Sequence, residues 1–313
     1  MNRRRGRAPS PRGKGDSAQD SYFDRSRRPL EILAVVGPLV VLYEIGLVTA
    51  LKGREGVLTN AAHEGLFRFF WSFGIDASRL SLPALALPAV AVLAILIIWQ
   101  MLSRRQWTLH LPTVGGMVVE GALFALPLLV IAQVISRVGV PAAAWLQQAE
   151  AVAALTPFAQ LTMSIGAGIY EELILRMVLL ALLHGALVDL LGMPQRWGIG
   201  LAVAVSALLF ALYHPLRDGS GAIVAGRVAF FIVAGVYFGS LYLVRGFGIA
   251  VVSHAAYDMA VLAWFDRGLG ATTPPRCVPT LASHHEGVHS ARGSGCPCSA
   301  CGCGAARRRV EAR

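Results

Sequence analysis

The sequence predicts an all-α integral membrane protein, a bundle of about seven or eight transmembrane helices. Hydrophobic residues make up 55% of its 313 residues, and charged residues make up only 15%. The mean hydropathy is +0.59. Several apolar runs reach the roughly 20 residues that an α-helix needs to cross the hydrocarbon core of a bilayer, which is about 30 Å thick. These runs divide the chain into its predicted spans.

The net charge of +10 is concentrated at the two ends of the chain. Residues 1–30 hold nine Lys or Arg against three Asp or Glu, and residues 275–313 hold six against two. Residues 31–274 hold thirteen of each sign. The high isoelectric point therefore reflects two solvated ends rather than a nucleic-acid-binding surface, and nucleic acid is not an expected partner. We expect residues 1–30 to form a disordered basic arm that stays in the cytoplasm by the positive-inside rule.

The predicted spans fall into two groups. The N-terminal group occupies residues 31–149, with an interfacial helix within residues 52–81 and spans near residues 32–51, 82–101 and 113–135. The second group occupies residues 150–266, with spans near residues 152–191, 198–213, 223–243 and 247–264. Residues 267–313 are rich in Gly, Ser, Cys, His and Arg and have no apolar period, which indicates a disordered tail.

The apolar run at residues 152–191 is too long for one perpendicular crossing, because forty residues make a straight helix of about 60 Å. Gly166 and Gly168 are the expected place for a break in this run or for the close approach of another helix. A break gives eight spans, whereas a continuous helix gives seven. Later in the chain, Gly235 and Gly239 form a small-xxx-small face that predicts close helix packing.

Three charged residues, Glu171, Glu172 and Arg176, lie in the middle of this long apolar run. Ionisable groups at membrane depth are costly and are therefore usually functional. On a helix, Glu172 and Arg176 share a face and can form an ion pair, whereas Glu171 projects about 100° away from them. We interpret Glu171 as a candidate general base and Glu172 as a carboxylate held ionised by the guanidinium. The alternative is a buried structural cluster that joins helices.

Two later spans carry histidines in comparable positions. His214 ends its span four residues after Phe210, and His254 shares a helix face with Asp258. A single histidine on a helix is usually a hydrogen-bonded core residue. Three spans that each bring an acid or an imidazole to a common interior are, however, what a hydrolytic site in a membrane must assemble.

The motifs EELILR, FALYH and HAAYD stand in this order between residues 171 and 258. They resemble the EExxxR, FxxxH and HxxxN/D motifs of the CAAX prenyl protease type 2 and lysostaphin-resistance-protein-A-like family, also called CPBP intramembrane proteases. The resemblance covers roughly residues 150–265 and implies that residues 150–266 are a catalytic core. It implies an endopeptidase of the bacterial cytoplasmic membrane, whose partners are the lipid bilayer and a prenylated, lipidated or membrane-anchored protein or peptide substrate.

The resemblance also implies a role for each polar residue. Glu171 would activate a water molecule, and His214 would help to position it. His254 and Asp258 would stabilise the tetrahedral oxyanion or hold the substrate. Glu172 and Arg176 would support Glu171. Many relatives have Asn in place of Asp258, and a carboxylate donates a hydrogen bond to an oxyanion only when it is protonated. The implied catalytic residues are Glu171, Glu172, Arg176, His214, His254 and Asp258.

A metal ion is an alternative means of activating the water. Glu171, His214 and His254 could supply one carboxylate and two imidazoles to a zinc ion, which lowers the pKa of bound water to about 7. The family is described both as metalloproteases and as glutamate proteases. We favour a site without a tightly bound divalent metal.

Two other functions fit parts of the pattern. A proton-coupled transporter could use the same ionisable residues as a relay, but transporters often contain paired internal repeats, and EELILR has no counterpart in the other half of the chain. A non-catalytic membrane scaffold or bacteriocin-immunity factor would have the same fold without the catalytic activity. The presence of all three motifs favours the protease over both.

Several polar residues are interpreted as structural because nothing at a useful spacing accompanies them. They are Glu44, Glu120, His63, His110 and His184.

Two patterns in the tail imitate metal sites. His285, Glu286 and His289 match the HExxH motif of zinc proteases, but the match contains Gly287 and lies in a Gly- and Ser-rich segment, whereas the motif requires a helix. All five cysteines also lie in the tail, where nothing nearby forms a scaffold for a metal. We assign neither pattern a function.

Overall fold

The computed structural model describes residues 21–53, 56–57, 61–72, 86–137, 155–218 and 220–269. These residues are almost entirely helical, which confirms the predicted all-α membrane bundle. The predictions for the disordered ends, the HEGVH motif and the cysteines fall mainly on residues 1–20 and 270–313, and these lie outside the described residues.

The helices of the described residues correspond to the predicted spans, with ends that differ by a few residues. They are α1 (Tyr22–Arg25), α2 (Pro29–Thr49), α3 (Ala61–Ser72), α4 (Leu87–Ser103), α5 (Leu111–Arg137), α6 (Pro157–Leu190), α7 (Gln195–Tyr213), α8 (Ala225–Arg245) and α9 (Phe247–Leu269). Two short strands, β1 (Lys52–Gly53) and β2 (Gly56–Val57), pair antiparallel after α2. Five helices, α2, α5, α6, α7 and α8, are long and apolar enough to cross a membrane, and α4 and α9 are shorter apolar helices.

The long apolar run forms the single continuous helix α6. Of the two alternatives at Gly166 and Gly168, the helix therefore has no break, and the described residues contain seven apolar helices rather than eight. A glycine lowers helix stability by only about 1 kcal/mol, which packing against neighbouring helices can offset. Two wider π-helical segments, Leu173–Val178 and Gly185–Leu190, follow the glutamates. Such segments are frequent at functional sites.

Close approaches between helices surround the interior of the bundle. A Cβ atom on Gly168 would lie 2.8 Å from the carbonyl oxygen of Val251, so α6 and α9 meet backbone to backbone. A Cβ atom on Gly235 would lie 2.7 Å from the Cα atom of Ala207, so α8 meets α7 in the same way. These contacts confirm the predicted close approach at Gly168 and the predicted packing role of Gly235.

Glu120 joins three helices through polar contacts. Its carboxylate lies 2.7 Å from Nη2 of Arg245 in α8 and accepts a hydrogen bond from the hydroxyl of Tyr22 in α1. Burial, together with the Glu120 carboxylate, raises the pKa of Tyr22 to about 12, so this hydroxyl stays protonated and donates at neutral pH. The contacts agree with the structural interpretation of Glu120.

Glu44 and His63 belong to a second polar cluster, formed by α2, α3 and α6. The Tyr43 hydroxyl lies 3.0 Å from Nδ1 of His63. Both rings pack against Tyr170, with centroids 5.3 and 5.1 Å away, and Glu44 interacts electrostatically with Tyr170. His63 therefore has partners that spacing along the sequence could not reveal, since they come from other helices.

The other two isolated histidines have local contacts. Nδ1 of His110 lies 2.9 Å from Oγ1 of Thr113 at the start of α5. Nδ1 of His184 lies 3.5 Å from Oδ2 of Asp189, and both side chains are exposed on α6. Both arrangements agree with a structural role.

Candidate active site

Three helices bring the six predicted site residues into one cluster in the bundle interior. The glutamate pair and the arginine come from the middle of α6, His214 caps the C-terminus of α7, and His254 and Asp258 lie one turn apart on α9. The six are Glu171, Glu172, Arg176, His214, His254 and Asp258. Their spacing on each helix was readable from the sequence, whereas their convergence depends on how the helices pack.

Glu172 is held from two sides. Its Oε2 lies 3.4 Å from Nε of Arg176, and both side chains are 0% exposed, so the predicted ion pair is present and fully buried. Its Oε1 lies 2.9 Å from Nδ1 of His254. Because a carboxylate only accepts, this nitrogen carries the hydrogen and Nε2 faces away from Glu172. Glu172 thereby fixes the orientation of the His254 ring.

The Arg176 guanidinium rests on aromatic rings. Its Cζ lies 4.6 Å from the ring centroid of Phe210 and 5.9 Å from that of Phe238. Within the described residues its nitrogens have no hydrogen-bond partner, so the Glu172 carboxylate and the ring faces compensate its charge. A buried ion of this kind is costly when its partner is removed. The guanidinium, which is paired with Glu172 on its own helix, therefore packs α6 against α7 and α8.

Glu171 is the point on which the two histidines converge. Its Oε2 lies 3.7 Å from Nε2 of His214 and 3.8 Å from Nε2 of His254, and its side chain is 8% exposed. No described residue donates a hydrogen bond to this oxygen. Nδ1 of His214 lies 2.7 Å from the carbonyl oxygen of Phe210 and so carries the hydrogen, which leaves Nε2 of a neutral ring as an acceptor directed at Glu171.

Asp258 lies at the more open side of the cluster. Its side chain is 29% exposed, and its Oδ2 lies 3.8 Å from Nε2 of His254. His254 is therefore surrounded by three carboxylates, those of Glu171, Glu172 and Asp258. This surrounding favours a positively charged ring.

Aromatic side chains from α8 support both imidazoles, and the sequence analysis did not identify them. Phe231 stacks on His214 with centroids 4.1 Å apart, and Phe238 stacks on His254 at 4.6 Å. The two phenylalanines are seven residues apart and share a helix face with Gly235. This spacing was the feature of the sequence from which their common helix face could have been predicted.

Arg227 is a second residue that the sequence analysis missed. Its side chain is buried at the start of α8, and its Nη1 donates to the carbonyl oxygens of Pro215 and Arg217, at 3.2 and 2.6 Å. These two residues lie one and three positions after His214, in the loop between α7 and α8. In the sequence Arg227 reads as an ordinary flanking charge, so nothing marked it as a support for this loop.

Glu171, His214 and His254 have the chemistry of a zinc ligand set but not its separations. A tetrahedral zinc with bonds of about 2.0–2.1 Å places neighbouring ligand atoms about 3.3 Å apart, and the distances of 3.7 and 3.8 Å are wider. Within the part of the chain that the structure describes, no group of three His, Cys, Asp or Glu residues is arranged to hold a metal ion. These separations do not fit a bound zinc ion.

Comparison with known proteins agrees with the predicted family. Residues 153–260 match the family model described as type II CAAX prenyl endopeptidase Rce1-like, and this match contains all six site residues. Searches of curated proteins and of solved structures found no match. The segment 153–260 of this membrane protein is therefore similar to the Rce1-like type II CAAX prenyl endopeptidases.

Proposed function

We propose that the protein is an intramembrane endopeptidase that hydrolyses a peptide bond with a water molecule activated by Glu171. The observation that carries the proposal is the convergence of two imidazole Nε2 atoms on Oε2 of Glu171, at 3.7 and 3.8 Å. These separations exceed a direct hydrogen bond but suit one bridging water molecule. A buried carboxylate with two histidines from other helices is suited to general acid–base chemistry.

In the first step, Glu171 accepts a proton from the water molecule. The oxygen of this water attacks the carbonyl carbon of the peptide bond. Nε2 of His214 accepts a hydrogen bond from the second hydrogen of this water. This hydrogen bond orients the water so that a lone pair on its oxygen points at the carbonyl carbon. The carbonyl π electrons move to the oxygen, which becomes an oxyanion. His254, positively charged through its three carboxylate neighbours, donates from Nε2 to that oxyanion.

In the second step, the tetrahedral intermediate collapses and the C–N bond breaks. Glu171 returns its proton to the leaving nitrogen, which departs as an amine. The other product is a carboxylic acid, which releases its hydroxyl proton to bulk water and becomes a carboxylate. Asp258 stabilises the positive charge of His254, with Oδ2 3.8 Å from Nε2, rather than donating to the oxyanion, since an ionised carboxylate has no hydrogen to give. Glu172 and Arg176 act as positioning residues because they hold His254 and the α6 backbone in place.

The substrate that fits this family and setting is a prenylated, lipidated or membrane-anchored protein or peptide, cleaved near the membrane surface in CAAX-type processing or in a bacterial maturation or sorting counterpart. We place the protein in the bacterial cytoplasmic membrane with its N-terminus in the cytoplasm, because the basic residues of positions 1–30 oppose translocation.

The test is a cleavage assay with the full-length protein in liposomes and a panel of prenylated CAAX peptides and membrane-anchored peptides. Product masses identify the bond that is cleaved. Asp189→Asn is the matched control, since Asp189 is an exposed carboxylate on the same helix outside the site. The proposal expects cleavage by the wild type and by Asp189→Asn, and cleavage at least about 10²-fold slower by Glu171→Gln. Equal cleavage by all three proteins would contradict it.

A further inference from the structure

A basic pocket lies away from the candidate active site, where the start of α2 meets the end of α4. Its volume is about 450 Å³, within the range of about 300–1,000 Å³ that is usual for small-ligand sites. It contains none of the six site residues. The residues that line it are Asp24, Arg27, Arg28, Pro29, Trp99, Ser103 and Arg105.

The depth of this basic pocket in the membrane follows from the helices that form it. The exposed side chains of α4 are apolar as far as Leu102, which is 76% exposed, and the four polar residues 103–106 follow. Along α2 the order is the opposite, from polar to apolar, because Arg27 and Arg28 directly precede the apolar helix. Trp99 is also partly exposed, and tryptophan is enriched at the level of the lipid headgroups. The pocket therefore opens at the boundary between hydrocarbon and water.

The charge of the pocket suits an anion. Three arginines and one carboxylate line it, and Arg27 also donates from Nη2 to the carbonyl oxygen of Val244. The hydrogen bond from the Ser21 hydroxyl, with Arg27 and Arg105 nearby, lowers the pKa of Asp24, so this carboxylate is ionised. The net charge of the lining is thus +2 at neutral pH. Pro29 is the first residue of α2, so the positive end of that helix dipole adds to the same field.

We propose that the basic pocket binds the phosphate of an anionic phospholipid headgroup. Guanidinium groups match phosphate oxygens in geometry and charge, and basic pockets between transmembrane helices at the headgroup level bind such lipids. At this depth the phosphate is supplied by the bilayer itself, and the exposed apolar side chains of α4 offer a surface for the acyl chains. The proposal is independent of the proposed peptidase activity.

Native mass spectrometry of the full-length protein in a neutral detergent tests this proposal, with phosphatidylglycerol and phosphatidylcholine as probes. Arg105→Gln removes an exposed charge from the pocket, and Asp24→Asn removes the opposing charge. Arg196→Gln is the matched control, because Arg196 is also exposed and lies beside the exposed Trp197, far from the pocket in the sequence. Thermal unfolding of each variant checks that it is folded.

The wild type should bind phosphatidylglycerol in preference to phosphatidylcholine. Arg105→Gln should weaken phosphatidylglycerol binding about fivefold, and Asp24→Asn should strengthen it by a similar factor. Arg196→Gln should leave it unchanged. Equal effects of the Arg105 and Arg196 variants would show non-specific attraction and overturn the proposal. Inorganic phosphate binding as tightly as the lipid, with the same dependence on Arg105, would overturn the lipid as its source.

Discussion

Replacing Arg176 with methionine should lower the free energy of unfolding by about 3–5 kcal/mol, because it leaves the Glu172 carboxylate buried without its opposite charge. Both side chains are fully buried, and the guanidinium lies 4.6 Å from the Phe210 ring. Methionine retains most of the apolar volume and packs well against aromatic rings. The measured loss therefore reports mainly the unpaired carboxylate rather than a cavity.

Adding Glu172→Gln to Arg176→Met should recover part of that loss. The amide needs no opposite charge, and its oxygen can still accept the hydrogen bond from Nδ1 of His254. Circular dichroism during denaturant titration in detergent measures the wild type, both single variants and the double variant, which completes a double-mutant cycle. A double variant no more stable than Arg176→Met, or a loss below about 1 kcal/mol in that single variant, would refute this account of the ion pair.

Three further predictions follow from individual contacts. Arg227→Ala should lower kcat by up to about 10²-fold with little change in KM, because the loop that positions His214 loses its support. Arg227→Lys should restore part of the rate. An unchanged kcat in Arg227→Ala would contradict this role. Gly168→Ala should cost about 1–3 kcal/mol of stability, since its Cβ would lie 2.8 Å from a carbonyl oxygen, whereas Gly200→Ala, which meets nothing within 4 Å, should not destabilise the protein. Prolonged treatment with a chelator should leave peptide cleavage unchanged in the liposome assay, and loss of activity that zinc restores would contradict the metal-free mechanism.

Local spacing explains what could be predicted of the site. Glu172 and Arg176 are four residues apart on a continuous helix, so their ion pair follows from helix geometry alone. His254 and Asp258 face one another for the same reason. The apolar runs likewise determine the spans, because only a helix satisfies its backbone within the bilayer. These features depend on neighbours along the chain.

The remaining features depend on partners from other helices. The contact between Tyr43 and His63 links α2 to α3, and the stacking of Phe238 on His254 links α8 to α9. In each pair the two residues lie on different helices, so the periodicity of a helix does not predict their contact. The choice between a break and a continuous helix at Gly168 stayed open for a related reason, since the close contact with α9 stabilises a helix that its glycines alone would weaken.

The rate of peptide cleavage by Glu171→Gln in liposomes tests the central claim most directly. The amide fills nearly the same space as the carboxylate but cannot accept a proton, so substrate binding and the unfolding temperature should remain close to those of the wild type. The account predicts that the cleavage rate falls by at least about 10²-fold, the smallest contribution usual for a general base. A folded Glu171→Gln protein that cleaves at the wild-type rate would contradict it.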